Sequence, residues 1–234
     1  SKLLDTSDQD WTIAGTNSLR DIPSELRAHF SDALRKIKTI DPACGSGAFP
    51  LGLLSLLSKI QLRLDPKLDE YKLKLAILRD SIYGVDIEPM AVEISRLRAW
   101  LSLIVEAKDQ KSIEPLPNLE FNFVAANSLI SLLDEDLISF NPDLHDKLSE
   151  LRANYFNANT PKQKQKSQSA YAELTREDFL DQFDRRASQL KSFDPFNSEG
   201  AATFFDNEAM FGLQEGFDVV LGNPPYVDSE YMTK

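Results

Sequence analysis

The sequence predicts an α/β protein with a mostly parallel, doubly wound sheet and an inserted helical segment. Short runs of strand-forming residues each end abruptly in a polar or glycine-rich loop. These strands are predicted at Ile37–Ile40, Ile82–Asp86, Leu119–Val124 and Phe217–Leu221. Apolar residues with helical spacing follow the first two loops, at Leu51–Leu64 and Met90–Ile104.

The first loop, Asp41-Pro42-Ala43-Cys44-Gly45-Ser46-Gly47-Ala48-Phe49, combines an acid with two glycines. Glycine lets a ligand approach the backbone, and the following helix points its N-terminal N–H groups at the same place. Pro50 stands where a dinucleotide fingerprint has its third glycine, and an isolated Gly-x-Gly is more often structural. The acid at the strand end favours a nucleoside with a cationic tail over a pyrophosphate.

The second strand also ends in an acid, Asp86, and Pro89 suits the first position of the next helix. A carboxylate at this place in a doubly wound sheet can accept both ribose hydroxyls of a nucleoside. The structural alternative is a helix cap, which we expect of Glu88 more than of Asp86. Asp86 follows Gly47 by about forty residues instead of the usual ~20, and an additional helix at Leu68–Arg79 explains the delay.

The last strand is expected to be buried and to end at Asn223-Pro224-Pro225-Tyr226. Proline donates no ladder hydrogen bond, so the strand must stop there in a stiff loop. An amide oxygen, a proline carbonyl and an aromatic ring suit a planar base that carries an exocyclic amine. The alternative is an ordinary proline-rich loop after a core strand.

Taken in order, DPACGSGAF, GVDIEP and LGNPPY resemble the S-adenosylmethionine-dependent adenine-N6 DNA methyltransferases. The resemblance is to the large restriction–modification type, in which methyltransferase and endonuclease share one polypeptide, and it covers roughly residues 39–226. It implies a partial Rossmann-like methyltransferase fold, with the first four strands of a seven-stranded sheet. The chain is then expected to be a fragment, whose later strands and target-recognition domain lie beyond Lys234.

The resemblance also implies the site residues. The cofactor, S-adenosylmethionine, would be bound by Asp41, Ala43, Cys44, Gly45, Gly47, Asp86, Ile87 and Asn127. Asp41 would lie near its ammonium group, Asp86 would take its ribose hydroxyls, and Ile87 would pack on its adenine. The target base would be held by Asn223, Pro224, Pro225 and Tyr226. Asn127 stands where some members have aspartate, so weaker adenine selectivity is expected there. A Tyr-Thr-Pro motif that usually closes the methionine end is absent before Ile37.

Three regions are predicted: a helical lead-in at 1–36, a methyltransferase core at 37–133 and 207–234, and a helical hairpin inserted at 134–206. The hairpin helices are expected at Leu144–Phe156 and Ser169–Phe193. A stripe on the helix after Asp86 is expected to be buried; its members are Met90, Ile94, Leu97, Leu101 and Ile104. Several phenylalanines are expected to hold the returning segment on the core: Phe193, Phe196, Phe204, Phe205 and Phe211.

Composition agrees with a cytoplasmic globular protein. The chain has 234 residues, one cysteine and no apolar run long enough for a membrane span. Cys44 is expected to be a small buried residue, and neither histidine belongs to a cluster with metal-ligand spacing, so no metal is expected. The net charge of −11 is unfavourable for binding DNA through the overall field. Double-stranded DNA, the expected partner, would therefore be held mainly by other parts of the polypeptide.

Other functions remain open at this point. Asn-Pro-Pro-Tyr loops also occur in methyltransferases that act on protein glutamine, and related loops act on RNA amines. A cofactor-binding module without turnover of its own is the non-enzymatic alternative. Lys162, Lys164 and Lys166 are interpreted as a solvated helix face, with contact to DNA phosphates as the alternative.

Overall fold

The computed structural model describes residues 23–105, 118–132, 142–177 and 185–223. Its centre is a parallel sheet of four strands: β1 (Thr39–Asp41), β2 (Ile82–Asp86), β3 (Phe123–Ala125) and β4 (Val219–Val220). The strand order is β3-β2-β1-β4, so the chain moves outward from β1 to β3 and returns on the other side of β1. The predicted parallel α/β fold is confirmed.

The helices before and between the first three strands cover one face of this sheet. They are α1 (Ser24–Lys36), α2 (Ala48–Leu64), α3 (Glu70–Asp80) and α4 (Pro89–Ile104). Local chemistry explains the starts of α3 and α4, because the side chain of Asp69 accepts a hydrogen bond from the N–H of Lys72 and Pro89 is the first residue of α4. Their buried leucines and isoleucines pack against Ile82 and Phe123 of the sheet.

Four more helices follow β3: α5 (Pro142–Phe156), α6 (Pro161–Glu177), α7 (Arg185–Ser192) and α8 (Asn207–Phe211). The second buried cluster contains sheet residues that alternate with Ile82 and Phe123 along the strands, and it packs against residues 193–211. Because successive strand side chains point to opposite faces, the sheet is covered on both sides.

Helices α5 and α6 pack against each other as a pair beside the sheet. The pair surrounds Phe121 with Tyr155 and Tyr171, whose rings meet that ring edge-on. The returning chain then forms parallel bridges from Ala202 to Ala126 and from Phe205 to Ser131. The second helix begins at Pro161 instead of Ser169, where Thr160 and Gln163 bond each other around the helix start. The three-region division of the chain stays a prediction.

The phenylalanines of the returning segment pack on the core as expected, in two clusters, with Phe196 and Phe205 only partly buried. Phe193, Phe204 and Phe211 pack against the sheet. Phe196 instead packs against Phe121 and the helical pair. The segment is therefore held on both the sheet and the helices.

The predicted burial of the apolar stripe on α4 is wrong. The exposed fraction of the side chain is 64% for Met90, 40% for Ile94, 48% for Leu97 and 47% for Leu101, and Ile104 is half-buried. The buried face contains Leu103 and three residues smaller than those of the stripe, namely Val92, Ser95 and Ala99. It also contains Arg96, whose guanidinium donates to the Phe123 carbonyl at 2.6 and 3.1 Å. Small side chains let the helix approach the sheet closely, and both faces of α4 are apolar enough to mislead a periodicity argument.

Two strand predictions also need correction. β3 begins at Phe123, since Leu119–Asn122 form a turn closed by the N–H of Asn122 on the carbonyl of Leu119 at 2.9 Å. β4 was expected to be buried, yet Val219 and Val220 are 37% and 67% exposed. β4 pairs only with β1 within the described residues, which leaves its other edge uncovered. No helix in the described ranges is long and apolar enough to cross a membrane.

Candidate cofactor and base site

The predicted site residues gather at the carboxyl edge of the sheet. β1 ends at Asp41 and β2 at Asp86, while Asn127 and Asn223 follow β3 and β4 within three residues. All four strands are parallel, so these ends lie along the same edge. After β1 the chain forms β2 and β3 on one side of this strand, whereas β4 lies on its other side. The gap between β1 and β4 is therefore the topological switch point, where ligands of open α/β sheets bind.

Asp41 lies at this switch point and is only 2% exposed. Its Oδ1 accepts a hydrogen bond from the N–H of Ala43 at 3.1 Å. Burial raises the pKa of the Asp41 carboxyl, the Ala43 hydrogen bond opposes the rise, and the charge of Asp86 adds to it.

Asp41 also contacts the backbone that leads to the predicted base-binding loop. A Cβ added at Gly222 would lie 2.8 Å from Asp41 Oδ1. The N–H of Leu221 donates to the carbonyl of Ile40 at 2.9 Å, which continues the pairing of β4 with β1 up to this point. A larger residue at position 222 would require either the Asp41 carboxylate or the backbone of this segment to shift, and Asn223 follows as an exposed residue. The first and last sequence motifs therefore meet side by side.

The glycine-rich loop forms a tight turn between β1 and α2. The N–H of Gly47 donates to the carbonyl of Cys44 at 2.8 Å, and Gly45 and Gly47 have φ values of 52° and 81°. Those left-handed angles favour glycine. A Cβ at Gly45 would have no neighbour within 4 Å, so the loop presents open backbone on that side.

The Asp86 carboxylate is tied to this loop and to the start of α4. Its Oδ2 accepts from the N–H of Gly45 at 2.7 Å, and its Oδ1 accepts from the N–H of Glu88 at 2.9 Å. Glu88 occupies the N-cap position of α4, but its side chain makes no capping bond. The capping bond expected of Glu88 is therefore not formed. A carboxylate has about four acceptor sites, so Asp86 retains capacity for a ligand.

Helix α4 holds the glycine loop from the other side, which sequence reasoning missed. The hydroxyl of Ser95 donates to the carbonyl of Gly45 at 2.8 Å. Nη1 of Arg98 donates to the carbonyl and hydroxyl oxygens of Ser46 at 3.0 and 2.9 Å. The only sequence signal was a pair of polar residues spaced by three on an apolar helix, which is too common to identify a role.

Cys44 is buried, as expected, and lies against strand β2. Its N–H donates to the carbonyl of Val85 at 2.9 Å. Burial, with the charges of Asp86 and Asp41, raises the pKa of the thiol to about 12. The neutral thiol fills the space beside Gly84, where a Cβ would lie 3.0 Å from its sulfur. These properties favour a packing role over a nucleophilic one.

Of the remaining predicted site residues, the structure describes only Asn127 and Ile87. Asn127 is half-buried; its Oδ1 accepts from the N–H of Leu129 at 3.1 Å. Ile87 is 63% exposed beside Asp86. Pro224, Pro225 and Tyr226 lie outside the described residues. No three His, Cys, Asp or Glu side chains in the described ranges form a group that could hold a metal ion.

This sheet, with its helices on both faces and its loops at the carboxyl edge, has the Rossmann-like fold of methyltransferases. The family model for the Eco57I restriction-modification methylases matches residues 80–234, and that for the MmeI DNA-methyltransferase domain matches residues 16–139. Each match covers more than half of the chain. The chain therefore belongs to the restriction-modification methyltransferase family.

Individual relatives agree with this assignment. A putative type II restriction enzyme and methyltransferase of Methanocaldococcus jannaschii is 39% identical over 165 residues, which are 65% of this chain and 14% of that protein. The adenine-specific methyltransferase PglX of Streptomyces coelicolor is 32% identical over 122 residues, 50% of this chain and 10% of that protein. DNA methyltransferase A of Bacillus subtilis is 34% identical over 71 residues, 29% of this chain and 8% of that protein. The chain thus spans no more than about a seventh of these relatives' length.

Proposed function

We propose that this chain is the cofactor-binding part, and carries the base-binding loop, of an enzyme that methylates the N6 amine of adenine in DNA. The methyl donor would be S-adenosylmethionine, and the enzyme would belong to a restriction–modification system with an endonuclease in the same polypeptide. The observation that carries this proposal is the contact between Asp41 and Gly222, which joins the glycine loop to the residue before Asn223. Family membership and the names of the relatives support the reaction class.

The residues present fit S-adenosylmethionine. The open backbone at Gly45 admits a ligand, and the two carboxylates of Asp41 and Asp86 suit a molecule with ammonium and sulfonium charges. Asp86 would accept the ribose hydroxyls with its remaining lone pairs. When bound, the cofactor would supply an electrophilic methyl group on sulfur.

The protein's task on the other side is to hold the target amine. The lone pair of an adenine amine is conjugated with the ring and is a weak nucleophile. The side-chain oxygen of Asn223 and the carbonyl of Pro224 would accept its two N–H bonds, which localises the lone pair and meets the positive charge that develops. Tyr226 would stack on the base after it leaves the duplex. The Gly222 contact would set the distance between this loop and the cofactor site, a proximity effect.

DNA affinity would come mainly from other parts of the polypeptide, because the net charge of −11 opposes binding to phosphates. Lys162 and Lys166 are exposed on α6, and Lys164 is half-buried. Contact of these lysines with DNA phosphates would add to that affinity. The target-recognition domain and the endonuclease are proposed as parts of the same enzyme.

The test uses the complete enzyme with S-adenosylmethionine labelled with tritium in the methyl group. Duplex DNA, RNA and a release factor serve as separate substrates, and nucleoside analysis separates N6-methyladenine from N4-methylcytosine. We expect label in N6-methyladenine of DNA only. Asn223→Ala should abolish transfer with cofactor affinity nearly unchanged, because the lost bonds strengthen in the transition state.

Asn197→Ala is the matched control, since Asn197 is also exposed and its Oδ1 accepts from a neighbouring N–H, that of Glu199. It should methylate DNA at the wild-type rate. Label in protein or RNA alone, or full activity of Asn223→Ala, would refute the proposed function.

A further inference from the structure

Both backbone polar groups of Gly45 are bonded by side chains from outside the glycine loop. Asp86 accepts from its N–H at 2.7 Å, and Ser95 donates to its carbonyl at 2.8 Å. Within the loop, that carbonyl accepts only a weak bond from the thiol of Cys44, at 3.7 Å. Ser95 itself is fully buried, and the bond that its hydroxyl donates to the half-buried Gly45 is partly buried. Loss of a buried partner leaves the other group unsatisfied, which is more unfavourable than loss of an exposed bond.

Helix α4 lies so close to the glycine loop that a side chain at Gly47 would clash with Ser95. A Cβ at Gly47 would lie 2.9 Å from Ser95 Oγ and 3.1 Å from Ser95 Cβ. One turn further on, Arg98 bonds both oxygens of Ser46. Three successive loop residues, 45 to 47, are therefore in contact with two side chains of one helix.

We propose, on the basis of the cofactor site proposed above, that Ser95 and Arg98 are positioning residues that hold the glycine loop in its cofactor-binding shape before the cofactor arrives. Neither side chain needs to touch the cofactor. They act through the backbone of residues 45–47, whose left-handed glycine angles leave many other conformations accessible when these bonds are lost. Preorganisation of this kind raises affinity because binding no longer has to order the loop.

Ser102 provides a matched control on the same helix. Its hydroxyl donates to the carbonyl of Ala99 at 2.6 Å, within α4 itself, so Ser102→Ala removes a similar group without touching the loop. Amide hydrogen exchange of residues 43–47 is measured without cofactor in the complete enzyme. Steady-state kinetics then give KM for S-adenosylmethionine and kcat at saturating cofactor and DNA.

In Ser95→Ala we expect about tenfold faster exchange in the loop and about tenfold higher KM, equivalent to ~1.4 kcal/mol, with kcat within twofold of wild type. Arg98→Ala, at an exposed bond, should raise KM about two- to threefold without affecting folding. Ser102→Ala should match wild type in both measurements.

Unchanged loop exchange or unchanged KM in both Ser95→Ala and Arg98→Ala would overturn the positioning role and leave the proposed function standing. A fall in kcat as large as the rise in KM would also overturn it, because a general structural defect would have that effect. If the wild-type enzyme does not bind S-adenosylmethionine, both the positioning role and the proposed function are refuted.

Discussion

Gly222→Ala tests the contact that joins the two halves of the site. The new Cβ would lie 2.8 Å from Asp41 Oδ1, about 0.6 Å short of the 3.4 Å at which ordinary contact begins. Asp41 belongs to the central strand β1 and is held by the N–H of Ala43. Position 222 follows β4, which pairs only with β1 in the described sheet. We therefore expect the loop that carries Asn223 to be displaced, while Asp41 keeps its position.

A displacement of about 1 Å can reduce catalysis by ~100-fold, so a shift of about 0.6 Å should lower kcat by roughly ten- to thirtyfold. The affinity for S-adenosylmethionine should change by less than about threefold, since the glycine loop keeps its anchors. Single-turnover methyl transfer gives the rate of the chemical step, and calorimetry gives the affinity.

Gly52→Ala is the control for the substitution itself. A Cβ at this exposed position of α2 would meet nothing within 4 Å, and alanine is the better helix former. It should leave the methylation rate unchanged and slightly raise Tm. A wild-type rate in Gly222→Ala would show that the contact does not set the alignment, and a loss confined to cofactor affinity would show that Asp41 moved instead of the loop.

Three other outcomes are expected. Asp86→Ala should weaken cofactor binding about ten- to a hundredfold by calorimetry, since charge-assisted bonds to two hydroxyls are lost; unchanged affinity in a folded variant would remove Asp86 from the site. Because burial raises the pKa of Asp41, its ionisation destabilises the fold as the pH rises through that raised pKa, so Asp41→Asn should raise Tm at pH 7. That gain should disappear as the pH falls to the ordinary carboxyl value of 3.8, and a gain that persists there would contradict the burial argument. With a thiol pKa of about 12, only about one Cys44 in ten thousand is ionised at pH 8, so iodoacetamide should label Cys44 after unfolding but not in the native protein.

Some ends of the elements follow from the sequence because the chemistry there is local. Pro89 begins α4 and Asp69 caps α3, at positions where residues of these types are favoured. The glycine loop and the strand before Asn223 were predicted for the same reason. Since these features require particular backbone angles or lack particular donors, a few neighbouring residues are enough to determine them.

The tertiary structure alone decided which surfaces meet. The burial of α4 depended on a small inward face with Ser95 and Ala99, and on a carbonyl of β3 that satisfies Arg96, not on the larger apolar residues. Asp86 reaches the N–H of Gly45 from 41 residues away along the chain, and Ser95 reaches its carbonyl from 50. Hydrophobic periodicity reports that a helix has an apolar face, but the choice between two such faces is made by close packing against partners that are distant in sequence.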